Sequence, residues 1–207
     1  DETRILELRQ GPSIDAKICD SNFEERDIDI LVYGSFDSNI FRKRSRMIND
    51  FVSRVNSRKV NCKVIGSIRE DEETFSKEFP ELSENIEPEK RGEDFYKILH
   101  NSKICITIPS DPHIDIQSHR PKGIFECAAS KTAQLHYDVE EVRNIFSQGE
   151  EIALFTDVDE LLDKVSLYLE DGEKRKEMAN KAFHRYKNNY TAERQIKMSL
   201  GELYKSD

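Results

Sequence analysis

Three charged side chains near the middle of the chain have the types and spacing of an anion-binding site. Arg120 and Lys122 flank the start of a predicted helix, and Glu126 lies within that helix. Cations are disfavoured at a helix N-terminus, and Lys122 followed by Glu126 is the poorer order for an i,i+4 ion pair. A bound phosphate therefore explains Arg120 and Lys122 better than a salt bridge does, and two solvated surface charges are the alternative.

Glu126 is unusual because it stands between Phe125 and Cys127 in a helix that is otherwise largely apolar. A partly buried carboxylate needs hydrogen-bond partners. The hydroxyl groups of a sugar could provide them. A backbone amide or Lys122 could also do so, and Glu126 would then be a purely structural carboxylate.

The residues before this helix predict a buried strand. Residues 104–108 are rich in β-branched side chains, as in a parallel strand covered on both faces, and Pro109 ends the run. A polar loop follows, and Pro121 occupies the predicted first turn of the helix, where its missing amide hydrogen costs nothing. Strand, loop and helix form half of a βαβ unit, and open α/β sheets bind ligands at the carboxyl ends of such strands.

An earlier part of the chain repeats this arrangement. Residues 27–33 form a predicted strand that enters a loop beginning with Gly34 and Ser35, and a basic helix entry containing Arg42 and Arg44 follows. The first βα turn of a doubly wound sheet commonly holds phosphate groups. A single glycine is a much weaker signal than a G-x-G-x-x-G motif, and a solvated basic helix face is the alternative.

The complete pattern predicts an α/β fold, a doubly wound, Rossmann-like parallel sheet with C-terminal helices. Strands are predicted at residues 27–33, 60–65, near 85–86, 104–108, 132–137 and 151–156. Their predicted spatial order is 3-2-1-4-5-6. Helices are predicted at residues 41–55, 93–101, from 121 onwards, 140–146, 157–170 and 173–189, with Asp157 as a cap. Residues 69–84 are acidic and aperiodic and are predicted to be loop with at most one helical turn, and His100 is expected to act as a cation at its helix end.

Composition argues against several classes of function. The net charge of −9 argues against nucleic acid as a partner. No apolar run is long enough to predict a membrane span. The cysteines lack C-x-x-C spacing and are interpreted as small buried hydrophobes, which favours a reducing, cytoplasmic setting. The loop with Asp111, His113, Asp115 and His119 lacks the spacing of a metal site, so we expect neither a metal nor a cofactor.

The run R-P-K-G-I-F-E-C-A-A-S-K-T-A-Q-L, which begins at Arg120, resembles the donor-binding segment of the group 1 glycosyltransferases. These enzymes have the two-domain B fold, and the similarity is greatest to their spore-coat glycosyltransferase-like branch. The resemblance implies that Glu126 holds the ribose of a nucleotide sugar. It also implies that an arginine at the first basic helix contacts the donor, with Arg44 as the match and Arg42 as the second choice.

Three positions depart from the pattern of that family. Ser118 stands where the common form has a glutamate for the donor sugar, so that contact is not carried over. Gly123 stands where the branch usually has an arginine, so Lys122 or Arg120 would have to substitute for it. Lys131 replaces a glycine, and because a non-glycine residue in a left-handed cap costs roughly 1 kcal/mol, we expect a different shape at that helix end.

The resemblance implies a glycosyltransferase, with residues 27–207 as its nucleotide-sugar-binding domain and residues 1–26 as a linker or arm from an upstream domain. Substrate-binding residues would be Gly34, Ser35, Arg44, Arg120, Lys122 and Glu126. The cations and helix amides would offset charge on the leaving diphosphate. The acceptor would bind to the upstream domain, so residues 1–207 alone would bind the donor without transferring its sugar. The alternatives are a non-catalytic nucleotide- or protein-binding α/β module and a sugar-nucleotide epimerase, whose acid and base residues are not evident.

Overall fold

A computed structural model describes residues 25–56, 59–117 and 122–197. Six parallel strands form one sheet in the order β3-β2-β1-β4-β5-β6, which confirms the predicted order. The strands are β1 (Ile28–Phe36), β2 (Cys62–Ile68), β3 (Ile86–Pro88), β4 (Ser102–Thr107), β5 (Ala133–Tyr137) and β6 (Ala153–Phe155). The central strands β1 and β4 are direct neighbours, with Ile30 opposite Ile104, so their carboxyl ends lie side by side.

Helices cover both faces of the sheet. They are α1 (Arg42–Val55), α2 (Glu72–Glu78), α3 (Pro80–Asn85), α4 (Gly92–His100), α5 (Asp111–Asp115), α6 (Lys122–Ala129), α7 (Glu140–Arg143), α8 (Val158–Glu170) and α9 (Gly172–Asn189). Ile30 and Val32 of β1 pack into the main core, whereas Leu31 packs into the core on the opposite face. Burial on both faces explains why the central strands are nearly continuous apolar runs. None of the described helices is both long enough and apolar enough to cross a lipid bilayer.

The prediction of a loop at residues 69–84 was wrong, because α2 and α3 occupy most of it. The Asp71 side chain caps α2 by accepting a hydrogen bond from the Thr74 amide at 2.9 Å. Phe75, Phe79 and Leu82 are fully or almost fully buried, and the rings of Phe75 and Phe79 lie 5.1 Å apart. Three buried apolar side chains are therefore enough to hold this acidic segment against the core.

The polar loop predicted after β4 also contains a short helix, α5, which buries Ile114 and begins at Asp111. α7 is shorter than predicted and ends at Arg143. At the start of α8, by contrast, the Asp157 side chain accepts a hydrogen bond from the Glu160 amide at 2.8 Å, which confirms the predicted cap. The C-terminal helices were therefore predicted more accurately than the connections around the sheet.

The end of α6 contradicts the expectation of an altered helix end at Lys131. Lys131 has a φ of 50° and lies in the left-handed region. Its amide donates to the Ala128 carbonyl at 3.1 Å, and the Thr132 amide donates to the Cys127 carbonyl at 3.0 Å. These paired bonds form the Schellman cap that glycine usually provides. The Lys131 ammonium also lies 4.7 Å from the centre of the Phe183 ring, a cation–π contact that offsets part of the backbone cost.

His100 does not act as the expected cation at the end of α4. Its side chain is buried, and desolvation lowers its pKa, with a smaller contribution from the positive charge of Arg26. Arg26 itself donates to the carbonyls of Ser102 at 2.7 Å and Ser130 at 3.1 Å. The last residue of the predicted linker is thus packed against the sheet, while residues 1–24 lie outside the described part of the chain.

Candidate functional site

A cavity of about 450 Å³ opens at the carboxyl edge of the sheet. Its floor is formed by the end of β1, and Ile65 of β2 lies beside it. Residues 89–91, the first turns of α4 and Glu126 of α6 form its walls. The cavity therefore lies where open α/β sheets bind their ligands.

Glu126 brings a carboxylate into this cavity from α6. Its side chain is almost fully buried, with 6% of the residue exposed. The Tyr33 hydroxyl donates to Glu126 Oε2 at 3.5 Å, and the Tyr96 hydroxyl donates to Glu126 Oε1 at 3.3 Å. From the sequence, the expected partners of Glu126 were a backbone amide, Lys122 or sugar hydroxyls. These two phenols were not predicted.

Tyr33 reaches Glu126 through space that Gly123 leaves open. A Cβ atom at position 123 would lie only 2.1 Å from the Tyr33 hydroxyl. Tyr33 also packs edge-on against Phe95, with the ring centres 4.8 Å apart. The resemblance implied an arginine at this position, and in this structure the lack of a side chain at Gly123 accommodates Tyr33.

Gly34 and Ser35 line the cavity, but they lie within β1 and not in the loop predicted to follow it, at the point where β1 and β2 approach closely. A Cβ atom at Gly66 would lie 2.0 Å from the Gly34 carbonyl oxygen, so only glycine fits at position 66 with this backbone. The Ser35 and Ser67 hydroxyls lie 3.3 Å apart across the same strand pair. This edge therefore offers small side chains and accessible backbone to a ligand.

Arg44 lies behind the cavity wall. Its Nε atom donates to the Ile108 carbonyl at 2.7 Å, and its Nη1 atom donates to the Ser35 carbonyl at 2.8 Å. The guanidinium also stacks 4.5 Å from the centre of the Phe41 ring. Desolvation lowers the Arg44 pKa to about 10, so the side chain keeps its charge at neutral pH. Arg44 thus joins the ends of β1 and β4 and places a positive charge beneath the Gly34–Ser35 backbone.

Two other cations at the start of α1, Arg42 and Lys43, are paired within the chain. Arg42 donates to Glu78 at 2.9 Å, and the Lys43 ammonium lies 2.7 Å from the Asp115 carboxylate. The Lys43 amide donates to both oxygens of Asp111, at 3.0 and 3.1 Å. A carboxylate of the protein therefore occupies the helix start that the sequence suggested for a phosphate.

The remaining predicted ligands are only partly described. Arg120 and Ser118 lie outside the described residues. Lys122 is the first residue of α6, but its side chain lies outside the described part of the structure. Gly34, Ser35 and Glu126 thus meet at one cavity, with Arg44 directly behind it.

Metal ligation has no support in the described ranges, where no group of three or more His, Cys, Asp or Glu side chains is arranged to hold an ion. In the loop after β4, the Ser110 hydroxyl lies 2.5 Å from His113 Nδ1. Asp111 and Asp115 of the same loop face Lys43. These side chains are therefore used to attach the loop to α1.

Solved structures of glycosyltransferases share this fold. The chain is 16% identical to a glycosyltransferase from Rickettsia africae, covering 99% of this chain and 57% of that one, with a TM-score of 0.70. HepE from Anabaena, solved with UDP and glucose, is 10% identical, with 93% and 55% covered and a TM-score of 0.68. The C-terminal domain of LpcC from Francisella tularensis is 12% identical, with 89% and 96% covered and a TM-score of 0.57. At these identities the likeness shows the fold alone.

The chain spans 37% of the length of TarM and 57% of the Rickettsia enzyme, so it corresponds to part of these proteins. A search of curated proteins gave no match. The sequence profile of one family, described as glycosyl transferase-like, matches residues 42–200. This match covers most of the chain and includes both α1 and α6, and the chain therefore belongs to the glycosyl transferase-like family.

Proposed function

We propose that this chain is the donor-binding domain of a nucleotide-sugar-dependent glycosyltransferase and that its cavity holds the nucleoside diphosphate of the donor. The observation that carries the proposal is the almost fully buried Glu126 carboxylate, which lines a cavity at the carboxyl ends of parallel strands. A carboxylate offers about four acceptor positions on its two oxygens, so Glu126 can accept hydrogen bonds from ribose hydroxyls in addition to those from Tyr33 and Tyr96. Membership of the glycosyl transferase-like family and the UDP complex of the fold relative HepE support this function.

In this proposal the diphosphate extends from Glu126 toward Gly34 and Ser35. Close backbone approach at Gly34 and Ser35 suits a phosphate, because small residues leave the backbone accessible. The Arg44 charge beneath that backbone makes the local potential more favourable for an anion without direct contact. Arg120 and Lys122 are proposed to reach the diphosphate from the start of α6. Together these charges would offset the charge that develops on the leaving diphosphate.

We further propose that transfer requires an acceptor-binding domain upstream in the same protein. The described cavity holds a carboxylate and backbone groups suited to a donor, and we assign no catalytic base within it. When the donor binds without an oriented acceptor, the activation barrier is not lowered by proximity. That contribution reaches roughly 7 to 11 kcal/mol in well-oriented reactions. Residues 1–207 alone should therefore bind donor and release diphosphate slowly compared with a protein that includes that domain.

Calorimetric titration of residues 1–207 with UDP, GDP and ADP tests the donor site. We expect Glu126→Ala to weaken binding of the preferred nucleotide by about 1 to 3 kcal/mol, because a charge-assisted hydrogen bond is lost. Glu84→Ala is the matched control, since Glu84 is exposed on α3 and does not line the cavity. Unchanged affinity in a folded Glu126→Ala variant would make Glu126 a structural carboxylate and would remove the main support for the proposal.

A further inference from the structure

Both oxygens of Glu126 are engaged by phenols that come from different elements. Tyr33 reaches Oε2 from the end of β1, and Tyr96 reaches Oε1 from α4. Phe95 lies between them, with its ring 4.8 Å from Tyr33 and 5.5 Å from Tyr96, measured between centres. All four side chains line the same cavity. Phenols from two different elements thus contact the Glu126 carboxylate, one at each oxygen.

Both phenols remain protonated at neutral pH and can therefore donate hydrogen bonds. Desolvation raises the pKa of Tyr33 well above its ordinary value, and the nearby Glu126 raises it further. Desolvation followed by the charge of Glu126 raises the pKa of Tyr96 to about 12. Both hydroxyls therefore keep their protons at neutral pH, and each can donate a hydrogen bond to the Glu126 side chain.

The close approach of Tyr33 to Gly123 indicates that the contact between Tyr33 and Glu126 depends on the glycine at position 123. The Tyr33 hydroxyl lies within 2.1 Å, and its ring carbon Cζ within 3.2 Å, of where a Cβ atom at position 123 would be. Any larger residue at position 123 must displace the hydroxyl from Glu126 or move α6. Glycine at position 123 is therefore a condition for the hydrogen bond between Tyr33 and Glu126.

We propose that Tyr33 and Tyr96 are positioning residues that hold both oxygens of Glu126 in the orientation needed to accept hydrogen bonds from a vicinal diol. This inference rests on the proposed donor site and assigns to the two phenols its preference for ribonucleotides. A carboxylate that is free to rotate would still attract one hydroxyl. A carboxylate held at both oxygens favours a ligand whose two hydroxyls match its fixed geometry, because less orientational freedom is lost on binding.

The test compares each nucleotide with its 2′,3′-dideoxy counterpart, which lacks the diol. UDP, GDP and ADP are titrated, and the tightest binder is carried into the variants Tyr33→Phe and Tyr96→Phe. We expect each variant to weaken binding of the ribonucleotide by about 3- to 10-fold, in line with the net contribution of one ordinary hydrogen bond. Binding of the dideoxynucleotide should change less than about 2-fold, since that ligand does not use the positioned carboxylate.

Tyr168→Phe is the matched control, because Tyr168 is a buried tyrosine of α8 that does not line the cavity. It should leave the affinities for both nucleotides unchanged.

A second pair of variants separates positioning from packing. Gly123→Ala should reduce both stability and ribonucleotide preference. Adding Tyr33→Phe should restore part of the stability, because the clashing hydroxyl is removed while the ring carbon at 3.2 Å remains, and it should not restore the preference.

The outcomes distinguish this inference from the function on which it rests. Equal weakening of both nucleotides by Tyr33→Phe and Tyr96→Phe would mean that the phenols only support the cavity wall, and positioning would be wrong. Loss of binding in Glu126→Ala together with unchanged affinities in the tyrosine variants would overturn the positioning role and keep the donor site. If wild-type protein binds none of the three nucleotides, the donor site and the positioning role both fail.

Discussion

The starts of α1 and α6 lie at the same edge of the sheet and carry similar sequence signals, but the structure uses their charged residues differently. At α1 three of the cations are satisfied by the protein: Arg42 by Glu78, Lys43 by Asp115, and Arg44 by two backbone carbonyls. At α6 the buried carboxylate of Glu126 lines a cavity and is contacted there by two phenols.

This difference shows that a crowd of cations at a helix start does not by itself identify a ligand site. The α1 cations connect α1 to α2 and α5 and fix the ends of two strands, so their first effect is on stability. The Glu126 carboxylate lines the cavity, and this position gives it a direct route to a ligand. Substitutions near α1 should therefore change unfolding, and substitutions at Glu126 should change binding.

The largest effect that we expect is from Arg44→Met. This substitution keeps most of the aliphatic stem but leaves the carbonyls of Ser35 and Ile108 without their charged donor. We predict that the free energy of unfolding falls by about 2 to 4 kcal/mol, measured by urea denaturation followed by circular dichroism.

Arg42→Met is the control on the same helix, because Arg42 forms an exposed ion pair that should contribute less than about 1 kcal/mol. If Arg44→Met unfolds like the wild type but no longer binds a nucleoside diphosphate, Arg44 is a ligand contact and the contrast between the two helix starts is wrong.

The second effect concerns His136, a fully buried residue of β5 near Arg44. Desolvation, with a smaller contribution from the charge of Arg44, lowers the His136 pKa to about 4, although a hydrogen bond to the Tyr137 carbonyl and the charge of Asp138 oppose the shift. In the unfolded chain the pKa is about 6.5, so between these values the unfolded state binds more protons. Stability should therefore fall as the pH falls through this window, by up to about 3 kcal/mol from His136.

Urea denaturation at several pH values between 7 and 4 measures this dependence, with pH steps of about one unit. His136→Gln should flatten the curve, whereas His184→Gln should not, because His184 is exposed on α9. The same slope in His136→Gln and in the wild type would show that His136 does not remain neutral in the folded protein.

The sequence was sufficient to predict the sheet, because each central strand is buried on both faces and therefore has a visible apolar run. Glu126 was also identifiable, since a carboxylate among apolar neighbours is a local signal. Tyr33 was not identified as a site residue, because its role depends on the space left by Gly123 in a distant helix. The partners of Arg42 and Lys43 were not predicted either. Glu78, the partner of Arg42, belongs to a helix in a segment predicted as loop. Asp115, the partner of Lys43, belongs to a short helix in another predicted loop.

A smaller effect is expected from Asp111→Ala at the start of α1. The Asp111 carboxylate accepts a hydrogen bond from the Lys43 amide and interacts favourably with the positive end of the helix dipole. Its removal should lower the free energy of unfolding by about 0.5 to 2 kcal/mol, as loss of a helix cap does. Nucleotide affinity, measured by calorimetry, should be unchanged. Tighter nucleotide binding would contradict the comparison, because it would mean that Asp111 had been competing with a phosphate for this helix start.

The smallest effect concerns the other end of α6, where Lys131 takes the left-handed conformation that glycine adopts without cost. Lys131→Gly should relieve about 0.5 to 1 kcal/mol of backbone strain, but it also removes the cation–π contact with Phe183. In the Phe183→Leu background this contact is already absent, so there Lys131→Gly should raise the free energy of unfolding by the full amount, and in the wild type by less. Nucleotide affinity should be the same in all four proteins, because neither residue lines the cavity. A decrease in stability in the Phe183→Leu background would mean that the Schellman cap depends on another contact of the Lys131 side chain.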